Sequence, residues 1–229
     1  MSAPTTPTLD DFERSPENPL SNGGKWSELA PEWNHLQLAS HSFSCSVGAI
    51  QTVGSGGQFG AMVWTETLFG ADQEVHCQLT GGSTCGPTAA LGEGFRLYLR
   101  AQQIGNDSTY DAYELIMHNE TGPDTFTIRK IINGAYVGGD LAQVEVGIGG
   151  IPRYAMFRIK GTLLEGWSSP DIWATSALVI SHTDSSISGA GYIGCGFQTN
   201  TSSFRPQIDN FGGGETVDFI PQIYRRTRG

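Results

Sequence analysis

The chain predicts an all-β fold of antiparallel strands packed as two facing sheets, and three observations lead there. Apolar and polar residues alternate with a period of two in many short runs, the mark of half-buried strands. Among 229 residues there are 31 Gly and 11 Pro but only 16% charged residues, a balance that suits short strands and tight turns. No window sustains the i, i+3, i+4, i+7 apolar spacing of an amphipathic helix. An apolar share of 38% is enough for a core between two sheets, and sandwiches reach this length as one domain.

In chain order, residues 1–8 are a Pro/Thr/Ser lead expected to form an extended arm. The sandwich is expected over 9–219, followed by a basic tail at 220–229 that carries Arg225, Arg226 and Arg228. Leu9 to Phe12 opens the first strand. A long polar loop ends at Trp26, and short strands follow at 35–41 and 43–47. A Gly-rich turn at 54–57 leads into a longer strand at 59–69 with Trp64. Residues 70–94 read as the least regular part. From 95 to 100, Phe95, Leu97 and Leu99 alternate with Arg96, Tyr98 and Arg100. Strands at 110–118 and 126–132 form a hairpin, and Asn133-Gly134, a strong two-residue turn signal, joins the second to 135–137. A looser stretch at 138–152 precedes the most regular part of the chain. In 154–160, Ala155, Phe157 and Ile159 oppose Met156, Arg158 and Lys160. A short strand with Leu163, Leu164 and Trp167 comes next, then the Ser168-Ser169-Pro170-Asp171 turn, a strand at 173–180, and the Gly-rich 189–197. Trp64 and Trp167 are expected in the core.

The order of these last pieces, ending in Gly-Tyr-Ile-Gly-Cys-Gly-Phe at 191–197, resembles the concanavalin A-like (LamG-like) jelly-roll sandwich. Leu9-Asp10-Asp11-Phe12-Glu13-Arg14, followed by Pro19-Leu20-Ser21 and Gly24-Lys25-Trp26, looks like the opening of that family. Ile208-Asp209-Asn210-Phe211-Gly212-Gly213-Gly214 looks like its closing strand. With this opening and closing, the chain is similar to minor tail proteins of actinobacterial phages. The same sandwich also serves lectins, glucanases and adhesion modules, so the fold alone does not set the function.

A net charge of −10 makes nucleic acid a poor partner, since its phosphates repel an acidic surface. No apolar run approaches the roughly 20 residues of a spanning helix, so membrane insertion is not expected. The lead MSAPTTPT has neither the basic start nor the apolar stretch of a secretory signal, which points to synthesis in a reducing cytosol. Cys45 and Cys195 are expected to be buried. Cys77 and Cys85 flank a short loop in which a disulfide is a minority expectation. No Cys/His zinc spacing occurs.

Hydrolysis of a glycan requires two carboxyl groups on one face. Asp111 and Glu114 are three residues apart on a strand and point to opposite faces. Glu114, Ile116 and His118 share a face, where surface pairing is the expected role of the acid. No Gly-x-Ser-x-Gly elbow occurs. Glycan binding needs exposed rings with amides or acids nearby. Trp33, in a polar setting, is the first candidate, with Tyr98, Tyr110 and Tyr136 on or beside polar strand faces. Jelly-roll modules often hold a structural Ca²⁺ where first and last strands meet, through oxygen ligands. Asp10, Asp11, Asp209 and Asn210 occupy those positions, with capping of the strand ends as the simpler alternative.

The expectation is therefore a non-catalytic virion protein of the minor tail type, assembled in the host cytoplasm. It has no cofactor beyond that Ca²⁺. Its partners are other virion proteins and a host cell-surface glycan, and it forms a homo-oligomer by particle symmetry. The alternatives are a capsid decoration protein without ligand and a carbohydrate-active enzyme of glucanase-like fold.

Overall fold

The computed structural model describes residues 4–13, 17, 20–30, 36–38, 50–52, 58–81, 93–106, 108–119, 123–146, 154–170, 175–199 and 206–216. Within them run β1 (Thr8–Asp10), β2 (Trp26–Glu28), β3 (Leu36–Leu38), β4 (Ile50–Thr52), β5 (Gln58–Phe69), β6 (Gln73–Gly81), β7 (Glu93–Gln102) and β8 (Asp111–Asn119). They are followed by β9 (Thr125–Ile132), β10 (Ala135–Tyr136), β11 (Ala142–Glu145), β12 (Tyr154–Lys160), β13 (Leu163–Ser169), β14 (Ala177–Thr183), β15 (Gly191–Thr199) and β16 (Pro206–Glu215).

The strands form two antiparallel sheets. The first is ordered β14-β13-β12-β6-β16-β4-β3, with β1 also paired to β16. The second is ordered β10-β9-β8-β7-β15-β5-β2, with β11 also paired to β9. The chain crosses between sheets at β1–β2, β2–β3, β4–β5, β5–β6, β6–β7, β11–β12, β14–β15 and β15–β16, so the two layers are interwoven as the all-β sandwich reading requires. Alternation along each strand sends one side inward. Phe157 and Ile159 of β12, Leu97 and Leu99 of β7, Leu115 of β8, and Ile193 and Cys195 of β15 are all fully buried in one core. At one end of it Trp26 stacks obliquely on Phe211 at 4.7 Å and meets the edge of Trp64 at 5.5 Å. Its indole N–H donates to Asp10 Oδ2 at 2.8 Å, which satisfies the polar tip of an otherwise buried ring.

The stretch 154–197 is divided between the two sheets. β12, β13 and β14 are neighbours, but β15 belongs to the other sheet, between β7 and β5. Its glycines permit this placement. A Cβ on Gly194 would lie 2.3 Å from the carbonyl oxygen of Met62, so no larger residue fits between those strands. Trp167 is not in the core. It lies in register with Met156, on the outer face of its sheet, and is half-buried. The expected strand 43–47, Cys45 and Trp173 lie outside the described residues.

The region read as least regular contains β6, a central strand paired to both β12 and β16. Val75, Cys77 and Leu79 face the core, while Glu74 and His76 face out yet are buried. The N-terminal arm lies over them. Glu74 Oε1 accepts the N–H of Thr5 at 2.7 Å and the Thr6 hydroxyl at 2.9 Å, and Glu74 Oε2 accepts Arg158 Nε at 2.8 Å. His76 Nε2 lies 3.2 Å from the Thr6 carbonyl oxygen. A polar outer face covered by a distant segment has no local signature, so β6 lacks a clean sequence signal. Cys77 is a free, buried thiol, and burial pushes its pKa well up. Cys85 is not among the described residues.

One end of the sandwich is fastened by two side chains. A β-bulge between Leu99 and Gln102 puts Arg100 at φ +50° and re-aims its side chain. Its guanidinium donates to the carbonyls of Ala71 at 2.8 Å, Ile187 at 2.6 Å and Gly161 at 2.7 Å. Three separate connections are thereby held by one residue. Gln73 accepts the Arg100 N–H at 2.7 Å and donates to the carbonyl of Gly191 at 2.9 Å.

Candidate functional site

The outer face of the second sheet carries the chemistry. On β7 and β8, Tyr98 and Glu114 are directly opposite, and Glu114 is opposite Arg129 of β9, so the three form one row. Arg96 precedes Tyr98 by two residues on the same face. The Asn133-Gly134 turn, with φ of 52° and 72°, has the left-handed pair that a two-residue hairpin demands. It is tied back to the start of β8, where Asn133 N–H donates to Asp111 Oδ1 at 2.7 Å and Gly134 N–H to the Tyr110 carbonyl at 2.8 Å. β10 then returns along β9 with Tyr136 opposite Ile131, which brings Tyr136 to the same face.

At the centre is a buried ion pair. Arg96 Nη1 contacts Glu114 Oε1, with Arg96 4% and Glu114 0% exposed at the side chain. The Tyr98 hydroxyl donates to the same Oε1 at 2.9 Å. Arg96 Nη1 also donates to the Tyr136 hydroxyl at 2.8 Å. Burial opposes the charge on Arg96, but the adjacent Glu114 carboxylate outweighs it and holds the guanidinium above the usual Arg range. Burial, reinforced by Glu114, pushes the Tyr98 hydroxyl well up. The surface role expected for Glu114 is therefore wrong, since the polar face on which it sits is closed over.

Beside the pair the face opens. Tyr136 is 47% exposed. The Arg129 guanidinium lies 5.4 Å from its centroid and is itself paired to Asp140. Gln143 of β11, opposite Thr127, is exposed and adds an amide.

The structure thus brings Tyr98, Tyr110 and Tyr136 to one face, with different exposures. Tyr98 and Tyr110 are 0% and 1% exposed and belong to a second apolar cluster with Ala112 and Ile131. Only Tyr136 of the three offers its ring to solvent. Trp33 lies outside the described residues. Sequence reasoning missed Arg96, Arg129, Asp140 and Gln143. The available signal was the β7–β8 hairpin, which sets Arg96 and Tyr98 beside Glu114 whichever way the face is turned. A concavity of about 530 Å³ lies elsewhere, by β2, among Leu20, Ser21, Trp26, Glu28, Ile104 and Gly105. Its one aromatic ring, Trp26, is only 4% exposed.

Asp10, Asp11, Asp209 and Asn210 do meet, because β1 pairs with β16. Both oxygens of Asp10, and one each of Asp11 and Asp209, are engaged by donors. Asp10 Oδ1 accepts Phe12 N–H at 2.9 Å, and Asp10 Oδ2 accepts Trp26 Nε1 and Asn22 Nδ2 at 2.8 and 3.2 Å. Asp11 accepts Glu13 N–H at 3.1 Å, and Asp209 accepts Asn210 N–H at 2.7 Å. Among the described residues no group of three or more His, Cys, Asp or Glu could hold a metal ion. The described residues thus show no preformed Ca²⁺ cage here, whose ligands would point free lone pairs at one ion.

What the cluster does show is repulsion. Burial, aided by Glu13, Asp11 and Asp10, raises the Asp209 pKa to about 6. A carboxyl whose folded pKa exceeds its unfolded value near 3.9 favours the folded state when protonated, so stability falls as pH rises from about 4 to 6. Asp184 works in another window. Burial opposes its charge, but hydrogen bonds from Tyr113, Lys130 and Ser186 outweigh that and depress its pKa, so its contribution is lost only as pH falls below about 4. Asp209→Asn keeps the oxygen that accepts Asn210 N–H. It is expected to stabilise the protein by about 1 kcal/mol at pH 7, after discounting for solvent screening of a half-exposed group. Urea unfolding of both proteins at pH 4, 5, 6 and 7 checks this, the gain vanishing at pH 4.

No protein-family model matches the chain, and no curated protein sequence does. Solved structures do match. The exoplasmic/lumenal domain of VIP36 in its Ca²⁺- and mannose-bound form has a TM-score of 0.60 at 11% identity, over 87% of this chain and 88% of that one. The potassium-bound carbohydrate recognition domain of Emp46p gives 0.56 at 8%, over 84% and 89%. A legume lectin-like domain from Entamoeba histolytica gives 0.53 at 12%, over 84% and 91%. At such identities the likeness defines the fold, a legume-lectin-like, concanavalin A-like jelly roll of two antiparallel sheets.

Proposed function

We propose that this protein is a non-catalytic glycan-binding module that binds through the outer face around Tyr136. The observation that carries the reading is a half-exposed aromatic ring whose hydroxyl is fixed by a buried Arg96–Glu114 pair. A ring so held can stack on a sugar face at little cost in lost side-chain freedom. Arg129, Asp140 and Gln143 around it supply the donors and acceptors that select among hydroxyl patterns. Structural neighbours solved with mannose bound support the assignment through their fold. By the opening and closing segments 9–26 and 208–214, the module belongs on a phage virion, assembled in the host cytoplasm as a minor tail component. There it attaches to neighbouring virion subunits, as a homo-oligomer, and to host surface glycan. A structural Ca²⁺ is no part of this reading, for want of a fitting ligand set. Burial of Tyr98 and Tyr110 favours a second reading, a capsid decoration protein without ligand.

The two readings differ in one experiment. The purified protein and Tyr136→Ala are titrated against host-type envelope glycans by calorimetry, with released reducing sugar assayed in parallel. Saturable binding without sugar release is expected. Loss of the ring should weaken it about tenfold, or ~1.4 kcal/mol, and should also lower stability by about 1–2 kcal/mol because the hydrogen bond from Arg96 Nη1 is lost with it. Absence of binding by the parent protein overturns the glycan reading in favour of the decoration protein. Sugar release overturns the non-catalytic part.

A further inference from the structure

We propose that β14 pairs edge to edge with the β14 of a second copy of this chain, antiparallel about a two-fold axis at His182; this rests on the homo-oligomer part of the proposed function and assigns its interface. β14 ends the first sheet and is bonded there to β13 alone. An open edge is a template for another strand, and sheets guard it by brevity, charge or proline. The other sheet ends among the described residues follow that rule. β10 has two residues and β3 three, β2 carries Glu28, and β11 closes on Glu145. β14 does not. It runs for seven residues, Ala177-Leu178-Val179-Ile180-Ser181-His182-Thr183, without Asp, Glu, Lys, Arg or Pro. Ala177, Leu178, Ser181 and Thr183 are exposed. A register shift opposite Gly166 and Trp167 lies in its first half, and 180–183 pair regularly with 163–166.

The free backbone groups select the occupant. Asp184 N–H donates to the Thr162 carbonyl. Antiparallel partners alternate between bonded and non-bonded pairs, so His182 and Ile180 direct their backbone groups to β13, whereas Ser181 and Thr183 turn theirs to the open side. A donor and an acceptor on each of two residues, spaced by two, are the complement of the same edge on a second copy. With the axis at His182, Ser181 exchanges both backbone hydrogen bonds with Thr183 of the second copy, and Thr183 does so with Ser181 of the second copy. The same pairs set a serine hydroxyl beside a threonine hydroxyl on the outer face, a favourable cross-strand pair. Moving the axis to Ser181 would set Thr183 against the irregular Val179 and halve the regular bonds. Charge favours a second copy as well. Two chains of net charge −10 repel wherever their carboxylates oppose, and this edge opposes none. Asp184, at its end, is paired with Lys130 Nζ at 2.9 Å.

Sedimentation of the parent protein at pH 8, where histidine is neutral, is expected to show a monomer–dimer equilibrium. Its Kd should be about 10–100 μM, because one strand pair buries far less than the ~1,600 Å² of a standard interface. Ser181→Pro and Ser181→Lys should each weaken the dimer at least about tenfold. Neither removes a bond to β13, and the exposed lysine keeps the test valid should the proline variant not fold. Cysteine variants read the register. Ser181→Cys mixed with Thr183→Cys should cross-link under oxidised glutathione, since bonded antiparallel partners lie about 5.5 Å apart at Cα, within disulfide reach. Neither variant alone should cross-link more than the parent, because each cysteine would then stand about 8 Å from its counterpart, beyond that reach. Self-cross-linking of Ser181→Cys, or none in the mixture, overturns this pairing. A parent dimer that both Ser181→Pro and Ser181→Lys leave intact overturns the edge assignment while the homo-oligomer stands. A parent that remains monomeric at ~500 μM, well above the expected Kd, overturns both and leaves the edge to a strand from a different protein.

Discussion

Arg100→Met is expected to lower the stability of the protein by about 4 kcal/mol and its melting temperature by about 8–16 °C. The three side-chain hydrogen bonds of Arg100 go to the carbonyls of Ala71, Gly161 and Ile187. They join the β5–β6 turn, the β12–β13 turn and the β14–β15 connection to β7. Hydrogen bonds from a charged donor contribute ~1.5–3 kcal/mol each, and removing the donor strands acceptors that the fold has partly withdrawn from water. One offset reduces the sum. All three acceptors are neutral, and burial pulls the Arg100 pKa down, so the variant also relieves a desolvated charge. Met preserves most of the apolar stem and leaves the Arg100 backbone N–H on Gln73, so the loss isolates the guanidinium. Arg100→Lys reaches one carbonyl at a time and should recover less than half of it. Thermal and urea unfolding of the three proteins measure this, and a drop below about 3 °C for Arg100→Met would show that the three connections are held by other contacts.

The sequence makes the fold legible wherever the alternation meets solvent on one side. β12 occupies the stretch read from Phe157 and Ile159, the Asn133-Gly134 turn holds its left-handed pair, and β1 meets β16 as the opening and closing segments require. Legibility fails where an outer face is covered. Glu74 and His76 look like solvent-facing residues of an irregular stretch, but their partners Thr5 and Thr6 are roughly seventy residues away in sequence. The same blindness affects the candidate site. Arg96, Tyr98 and Glu114 read as a polar surface because a period of two distinguishes the faces of a strand without saying which is wet. Trp167 shows the converse, an apolar residue assigned inward that lies on an outer face. Among the tyrosines, residue type pointed to residues that share one face of the second sheet. Exposure is set by what crosses over that face, and only the structure separates Tyr136 from Tyr98 and Tyr110.

The Arg96–Glu114 pair allows stability and recognition to be told apart. Glu114→Leu alone is expected to cost about 3–5 kcal/mol, since it strands a buried guanidinium and the Tyr98 hydroxyl together. The triple variant Arg96→Met, Glu114→Leu, Tyr98→Phe removes the three buried members of the network at once. It should fall within about 1 kcal/mol of the parent, because apolar replacements of similar volume abolish the desolvation cost along with the attraction. That non-additivity is the signature of groups that act as a unit. Binding should follow a different course, weakened in both the single and the triple variant, since the single removes the carboxylate that holds Arg96 against the Tyr136 hydroxyl and the triple removes Arg96 itself. Urea unfolding and glycan titration on the same three proteins decide the matter. A triple variant that regains stability without regaining binding means that the pair is kept for the ligand. One that regains both returns the network to a purely structural role and removes Glu114 from the site. One that remains as unstable as Glu114→Leu shows that the pair contributes net stability, as a fold determinant rather than a cost borne for recognition.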